Sequence, residues 1–306
     1  MKDKIKDEAK GKIKKPIYAR EEMSRLVKWF FGLPLIYVAW VVVSFAMPTF
    51  STGYRMELLL NIISYCAFIL IALAIIKYFL KFPITKLFGE NGHLDFKGLL
   101  VGFGAMFVST LAFTFIHMLI EPSQFTYTLS SGWVLDWILA LGLVIVAALL
   151  EELLTRAYIA YFVQDSMETR PRWVLVYCLA SGLLFAIAHF SNPEVAGSGA
   201  FYAMGFYFMM GFVLMLVTLK THSLGAALGI HIANNLVNAW FFSYSDAVVK
   251  TNALFTQTDN SGPMLLVEAA LCLLICVLAL KVANKGKKAP ALAPALDPAL
   301  ASSSKS

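Results

Sequence analysis

The sequence has few charged side chains for its length. Of its 306 residues, 14% are charged and 59% are hydrophobic, whereas soluble domains carry about 25% charged residues. The shortage indicates a membrane protein rather than an ordinary soluble domain.

Cysteine is also scarce, and no two cysteines have the spacing of a metal site or a redox pair. The four cysteines are Cys66, Cys178, Cys272 and Cys276, and no two of them form a C-x-x-C pair. Neither a disulfide framework nor a zinc knuckle is therefore indicated. Cysteines inside apolar stretches behave as small buried hydrophobic residues.

Long hydrophobic runs, by contrast, are abundant. A helix needs about 20 apolar residues to cross a bilayer, and eight stretches come close to that length. They cover residues 29–47, 57–80, 98–120, 132–155, 172–190, 200–219, 224–243 and 263–282. The alternating ten-residue pattern of a membrane β-barrel is missing. We therefore predict an all-α, polytopic bundle of about eight transmembrane helices over residues 29–283, multi-pass in the inner or plasma membrane of the cell.

Positive charge is concentrated in alternate connections between these stretches. Lysine and arginine occur in 1–28, in 77–97 and in 156–172, whereas 121–131 and 191–199 contain neither. Because short cytoplasmic loops carry the excess of these residues, we predict that the N- and C-termini are both cytoplasmic.

The two ends of the chain have their own composition. Residues 1–28 hold ten of the lysines and arginines and directly precede an apolar stretch. We predict that this basic cytoplasmic arm binds anionic lipid headgroups. It is not expected to bind nucleic acid, because no base-reading module follows it. Residues 284–306 repeat Ala-Pro-Ala-Leu and end in serines, a composition that predicts a disordered tail.

Ionisable residues inside the apolar stretches are functional candidates, because each costs about 2.5–3.5 kcal/mol to insert. Several have a simpler interpretation. Asp136 lies among tryptophans near the end of its stretch and is interpreted as an interfacial anchor. His117 and Glu121 are one helical turn apart and are interpreted as a solvated surface pair. Glu268 is close enough to a helix end to reach the headgroups.

The segment that the simple interpretations explain poorly is "EELLTR", at the end of the fourth stretch. It contains Glu151, Glu152 and Arg156. Glu152 and Arg156 are four residues apart and share a helix face, so an ion pair between them is expected. Glu151 points about 100° away on the same helix. It has no partner within its own segment, which suits a group that exchanges protons near neutral pH.

Two histidines in later stretches can meet this glutamate. "FAIAH" places Phe185 one turn before His189, where its ring could hold the imidazole. "HIANN" places His231 and Asn235 one turn apart on a shared helix face.

A glutamate and two histidines are enough to activate a water molecule for hydrolysis. Either the histidines help to bind a zinc ion whose water Glu151 deprotonates, or Glu151 and His189 polarise the water directly. Asn235 and His231 could then donate hydrogen bonds to the developing oxyanion. The simpler alternative is a helix-packing network of buried polar groups.

The three motifs resemble those of a known family. "EELLTR" fits EExxxR, "FAIAH" fits FxxxH and "HIANN" fits HxxxN. Their order and separation resemble the CPBP family of intramembrane proteases, also called the Abi family, the bacterial relatives of the type II CAAX prenyl endopeptidases. The resemblance covers a core of about 131–242.

The resemblance implies a role for each matched position. Glu151 would be the base that activates water, and His189 would assist it or bind metal. His231 and Asn235 would stabilise the tetrahedral intermediate, while Glu152, Arg156 and Phe185 would support them. Members of the family are usually described as metal-dependent, which implies zinc or another divalent metal at Glu151, His189 and His231; a mechanism without metal has also been argued.

These residues lead to one hypothesis and two alternatives. The hypothesis is an intramembrane metalloendopeptidase that cleaves a membrane-associated or lipidated peptide or protein. The first alternative keeps the fold without the chemistry, as a membrane adaptor or a bacteriocin-immunity protein. The second, a proton-coupled transporter, is disfavoured because the two halves of the chain show no convincing repeat.

One geometric condition accompanies the hypothesis. His189 lies near the outer end of its stretch, whereas His231 lies about eight residues into its own stretch from the same side. The resulting mismatch in depth is about 10–15 Å at 1.5 Å per residue. We predict that the fourth and fifth helices extend beyond the bilayer as a hairpin, which would lower His189 towards Glu151.

Overall fold

The computed structural model describes most of the chain between residues 53 and 285. The described ranges are 53–160, 171–193, 195, 199–245, 247–258 and 262–285, with scattered positions between 27 and 43. The predictions for the basic arm 1–28, for much of the first apolar stretch and for nearly all of the tail 284–306 lie outside the described residues.

Seven α-helices of at least 16 residues form the described part of the chain. They are α1 (Tyr54–Ala74), α2 (Phe96–Ile120), α3 (Trp133–Glu152), α4 (Pro171–Ala188), α5 (Ala200–Thr221), α6 (Gly225–Trp240) and α7 (Pro263–Ala283). Two π-helical turns, Ile75–Phe79 and Leu153–Ala157, prolong α1 and α3. Short 3-10 turns cover Ile84–Leu87 and Pro122–Gln124.

Five helical segments among the described residues are long and apolar enough to cross a membrane. They are Tyr54–Phe79, Phe96–Ile120, Trp133–Ala160, Ala200–Thr221 and Pro263–Ala283. Large apolar side chains such as Leu70, Leu119 and Phe201 are more than 60% exposed on these helices, as expected where lipid covers them. The chain is therefore an all-α polytopic membrane bundle, which confirms the predicted fold class. The total of eight spans stays a prediction.

Helix α6 is the centre of the bundle. It packs against α2, α3 and α5, and 12 of its 16 residues are buried. It is too short to cross a bilayer alone, since about 20 residues are needed. The stretch 224–243, predicted as a span, thus forms a short helix that other helices surround.

Two glycines allow α6 to lie directly against α2. A Cβ atom on Gly229 would come within 2.2 Å of the Leu99 carbonyl oxygen, and one on Gly225 within 2.2 Å of the Asp95 carbonyl oxygen. Small residues four apart let membrane helices approach with their backbones in contact. The contact fixes the position of α6, and with it the position of His231.

We expect Gly229→Ala to destabilise the protein, because the added methyl group meets backbone and not a movable side chain. The expected loss is about 1–3 kcal/mol, measured by thermal unfolding in detergent. Gly104→Ala is the matched control, since a Cβ at Gly104 would meet no atom within 4 Å. Equal melting temperatures for the two variants would contradict the close packing of α6 on α2.

A small sheet covers one end of the bundle. It consists of β1 (Phe125–Tyr127), β2 (Phe242–Tyr244) and β3 (Phe255–Gln257) in the order β1-β3-β2. Strand β3 is antiparallel to β1 and parallel to β2. Helix α6 ends at this sheet, and α3 and α7 begin near it. We call this end of the bundle the sheet end.

Asp136 lies near the sheet end and is fully buried. Its carboxylate pairs with Arg55 at 2.5 Å and accepts hydrogen bonds from the Tyr54 hydroxyl at 2.6 Å and the Asn252 amide at 3.0 Å. The interpretation of Asp136 as an interfacial anchor was wrong. The carboxylate joins α1 and the loop after β2 to α3, because a buried charge needs partners.

His117 and Glu121 do not form the surface pair that their spacing suggested. His117 Nδ1 lies 3.3 Å from Glu268 Oε1 of α7, and the His117 side chain is only 11% exposed. Glu121 instead accepts a hydrogen bond from the Gln124 side chain. Glu268 is therefore a partner of His117 inside the bundle and does not simply reach the headgroups.

Candidate active site

The site begins with a buried ion pair at the end of α3. Arg156 Nη1 lies 3.0 Å from Glu152 Oε1, and both side chains are fully buried. This is the pair that the EExxxR spacing predicts. The guanidinium carbon lies 4.3 Å from the centre of the Phe185 ring, so an aromatic face covers the cation that lipid cannot solvate.

The π-helical turn that carries Arg156 is held by hydroxyl groups. Thr155 Oγ1 donates to the Glu151 carbonyl oxygen at 2.6 Å and accepts from Arg156 Nη1. Ser181 Oγ of α4 lies 3.1 Å from the carbonyl oxygens of Thr155 and Gly211. A π-helical turn is common at functional sites, and here it is fixed to the two neighbouring helices α4 and α5.

Glu152 also contacts a histidine, which the sequence did not predict. His231 Nδ1 lies 2.8 Å from Glu152 Oε1. Because an ionised carboxylate only accepts hydrogen bonds, Nδ1 of His231 is the donor. The other ring nitrogen, Nε2, then keeps its lone pair when the ring is neutral.

A hydrogen bond from Nδ1 also orients the ring of His189, but its acceptor is a different group. Its Nδ1 lies 2.7 Å from the Phe185 carbonyl oxygen. A carbonyl oxygen can only accept, so Nδ1 carries the hydrogen and Nε2 keeps the lone pair. The FxxxH motif therefore contributes a backbone acceptor as well as the predicted aromatic ring, whose centre lies 4.4 Å from that of His189.

Glu151 lies where these two lone pairs converge. Its Oε2 atom is 3.6 Å from Nε2 of His189 and 3.6 Å from Nε2 of His231. These distances are too long for direct hydrogen bonds, and Oε2 is buried without a hydrogen-bond partner among the described residues. Three acceptor atoms thus lie close together, an arrangement that a water molecule between them would satisfy.

Asn235 lies one turn beyond His231 on α6 and is partly buried. Its side-chain oxygen accepts a hydrogen bond from the Asn234 amide at 3.1 Å, which leaves its own amide hydrogens for another acceptor. The role of Asn235 at an oxyanion stays a prediction.

His189 and Glu151 belong to different helices, yet their side chains lie 3.6 Å apart, and the predicted proximity is present. The segment Trp133–Ala160 is 28 residues long, or about 42 Å at 1.5 Å per residue, which exceeds the roughly 30 Å of the hydrocarbon core. The predicted extension of the fourth and fifth helices beyond the bilayer as a hairpin stays a prediction. Residues 161–170, between the two helices, lie outside the described residues.

Tyr207 of α5 is a neighbour of the site that the sequence did not reveal. Its ring stacks on His189 with centres 4.2 Å apart and planes 23° apart, and its hydroxyl accepts from the Asn192 amide at 3.2 Å. In the sequence it is one of several aromatic residues in an apolar stretch. Only the packing of α5 against the end of α4 distinguishes it.

We expect the stacked ring of Tyr207 to matter more than its hydroxyl. An aromatic contact contributes about 0.5–1.5 kcal/mol, so Tyr207→Leu is expected to lower turnover about three- to tenfold. Tyr207→Phe keeps the ring and is expected to stay within about twofold of the wild type. Turnover of a reporter peptide measures both. If Phe and Leu reduce it equally, the stacking is not what orients His189.

A metal ion was predicted at Glu151, His189 and His231. Donation from Nδ1 to an oxygen acceptor is what metal-binding histidines usually show. In the part of the chain that the structure describes, however, no group of three or more His, Cys, Asp or Glu side chains is arranged to hold a metal ion. The residues as placed do not fit that site, and the metal stays a prediction.

Comparison with known proteins shows which family the site segment resembles. Residues 136–237 match the model of the family described as Type II CAAX prenyl endopeptidase Rce1-like. This part of the chain is therefore similar to the Rce1-like family. The matched segment contains every site residue discussed above, and the resemblance inferred from the three motifs is confirmed.

A curated relative extends the similarity beyond the Rce1-like segment. The chain is 30% identical over 192 residues to the uncharacterized protein YyaK of Bacillus subtilis (strain 168). The alignment covers 62% of this chain and 62% of the relative. No solved structure matches the chain.

Proposed function

We propose that the protein is an intramembrane endopeptidase that hydrolyses a peptide bond in a membrane-associated or lipidated peptide or protein. The observation that carries the proposal is the convergence of Glu151 Oε2 with the Nε2 atoms of His189 and His231. The similarity of residues 136–237 to a family described as prenyl endopeptidases supports it. The same similarity favours the cell membrane as the location of the protein.

The water molecule in the proposed reaction lies among these three acceptors. Glu151 takes one of its protons as the water oxygen attacks the peptide carbonyl carbon and forms the new C–O bond. The tetrahedral intermediate then collapses, the C–N bond breaks, and Glu151 returns the proton to the leaving nitrogen. The second proton of the water stays on the oxygen of the new C–O bond, so the products are a carboxylic acid and an amine, as in other general acid–base hydrolyses.

Glu152 orients His231 towards the site, because its carboxylate accepts the hydrogen bond from Nδ1. The ring would then contact the developing oxyanion through Nε2, and the amide of Asn235, one turn further along α6, would be a donor to it. Arg156 pairs with the carboxylate that orients His231, which gives the buried ion pair a function besides stability.

The substrate would reach Glu151 on the side where its carboxyl group is accessible. Its side chain is 30% exposed, whereas those of Glu152 and Arg156 are fully buried. Because the site lies in a bundle with lipid-facing helices, a substrate that is itself anchored in the membrane is favoured over a soluble peptide.

The proposal is tested by cleavage of a membrane-tethered reporter peptide with purified protein in bicelles. We expect cleavage by the wild type and by His93→Ala, whose side chain is exposed in a connection, but not by Glu151→Ala or His231→Ala. The proposal fails if all four proteins behave alike. Cleavage that a chelator abolishes and zinc restores would establish the predicted metal.

A further inference from the structure

A second polar space lies next to the site, towards the sheet end. It is a partly open cavity of about 70 Å³, lined by residues of α2, α5, α6, α7 and strands β2 and β3. We call it the sheet-side chamber. Its polar lining includes Thr110, Asn234, Asn238, Gln257 and Glu268.

The lining of the chamber is suited to water. Apolar cavities stay dry, whereas polar cavities in which each water molecule finds two to four partners are filled. The amides of Asn234 and Asn238 and the carboxylate of Glu268 supply donors and acceptors from two helices. A volume of about 70 Å³ is enough for more than one water molecule, since each needs about 10–15 Å³ of such space.

Two side chains contact both the chamber and the site. Tyr207 lines the chamber and stacks on His189. Asn234 lines the chamber and donates to Asn235; it lies three residues, or about 4.5 Å, beyond His231 along α6. Through these two side chains the chamber adjoins the part of the bundle that holds His189 and His231.

We propose that the sheet-side chamber holds water molecules that are connected with the water at Glu151 and replace it after each turnover. The replacement rests on the proposed function, since hydrolysis consumes one water molecule per peptide bond. A peptide bound over the exposed side of Glu151 would block access from that side. The chamber supplies the site from behind, past Tyr207 and Asn234.

Hydroxyl-radical footprinting of the full chain in nanodiscs tests whether the chamber is wet. Met106 and Cys272 line it and are 1% and 2% exposed. Met215 and Cys178 are as deeply buried, at 0% and 1%, and do not line it. We expect Met106 and Cys272 to be oxidised at least fivefold faster than Met215 and Cys178. Equal, slow oxidation of all four would overturn the proposal.

A variant whose side chain fills the chamber tests whether water from the chamber is used in hydrolysis. Asn238→Leu replaces an amide in the lining with a larger apolar group, and we expect it to lower oxidation of Met106 and Cys272 at least threefold. In the reporter assay it should slow turnover about fivefold with an unchanged KM. Thr218→Val is the matched control, because Thr218 is a buried threonine whose hydroxyl bonds only to its own helix among the described contacts.

The outcomes separate this proposal from the proposed function. Footprinting needs no substrate, so it decides whether the chamber is wet even in a protein that cleaves nothing. A dry chamber in an active protease would leave the endopeptidase intact and end the present proposal. Normal turnover by Asn238→Leu with reduced oxidation would show that the site draws its water from elsewhere.

Discussion

Glu151→Gln is expected to abolish peptide hydrolysis while leaving the protein folded. A positioned general base contributes about 10²–10⁴-fold to such a reaction, and the amide of glutamine cannot take a proton from water. The expected result is a fall in turnover of that size in the reporter assay. Glu121→Gln is the matched control, since the side chain of Glu121 contacts only Gln124 among the described hydrogen bonds.

The same substitution is expected to keep or raise stability. In the wild type, Glu151 Oε2 faces the lone pairs of two imidazole nitrogens and has no donor among the described residues. The N–H group of a glutamine could donate to either nitrogen and relieve this arrangement. An unfolding temperature at or above that of the wild type, together with lost hydrolysis, is the expected pair of results. A variant that hydrolyses within tenfold of the wild type would remove Glu151 from the mechanism.

Arg156→Met is expected to have the largest effect on stability. It would leave Glu152 as a buried carboxylate with His231 as its remaining partner, and breaking a buried pair from one side costs about 3–5 kcal/mol. Unfolding in SDS or by heat in detergent measures the loss. Lys281→Met is the control, because Lys281 is exposed at the end of α7 and a surface change stays within about 0.5 kcal/mol.

A double variant shows whether Arg156→Met loses stability because Glu152 loses its charge partner or because packing is lost. Glu152→Gln combined with Arg156→Met removes both charges, and replacing a whole buried pair is often close to neutral for stability. We expect the double variant to recover much of the stability that Arg156→Met loses but none of the activity, since the carboxylate that orients His231 is removed. The pairing is contradicted if the stability lost by the double variant equals the sum of the losses of the two single variants.

The sequence predicted the parts of the site that depend on helical spacing alone. Glu152 with Arg156, and Phe185 with His189, are four residues apart, and contacts at this distance follow from the helix itself. The bond between Glu152 and His231 joins residues on different helices, and so does the stacking of Tyr207 on His189. These contacts depend on how the helices pack, for which a single sequence carries no local signal.

The same distinction explains the errors outside the site. Asp136 lies among tryptophans, which favours an interfacial position, but its cationic partner Arg55 is on another helix. The stretch 224–243 was predicted as one continuous helix, but α6 ends at Trp240 and the chain enters β2 at Phe242. The partner of β2 is β3, which lies further along the chain.

The junction between α6 and β2 connects the site to the small sheet. The helix runs without a break from His231 to Trp240, about 14 Å at 1.5 Å per residue, and the chain enters β2 at Phe242. A displacement of the three strands would therefore also displace the imidazole of His231. An antibody fragment that binds the strands is expected to alter the proposed hydrolysis without binding at Glu151.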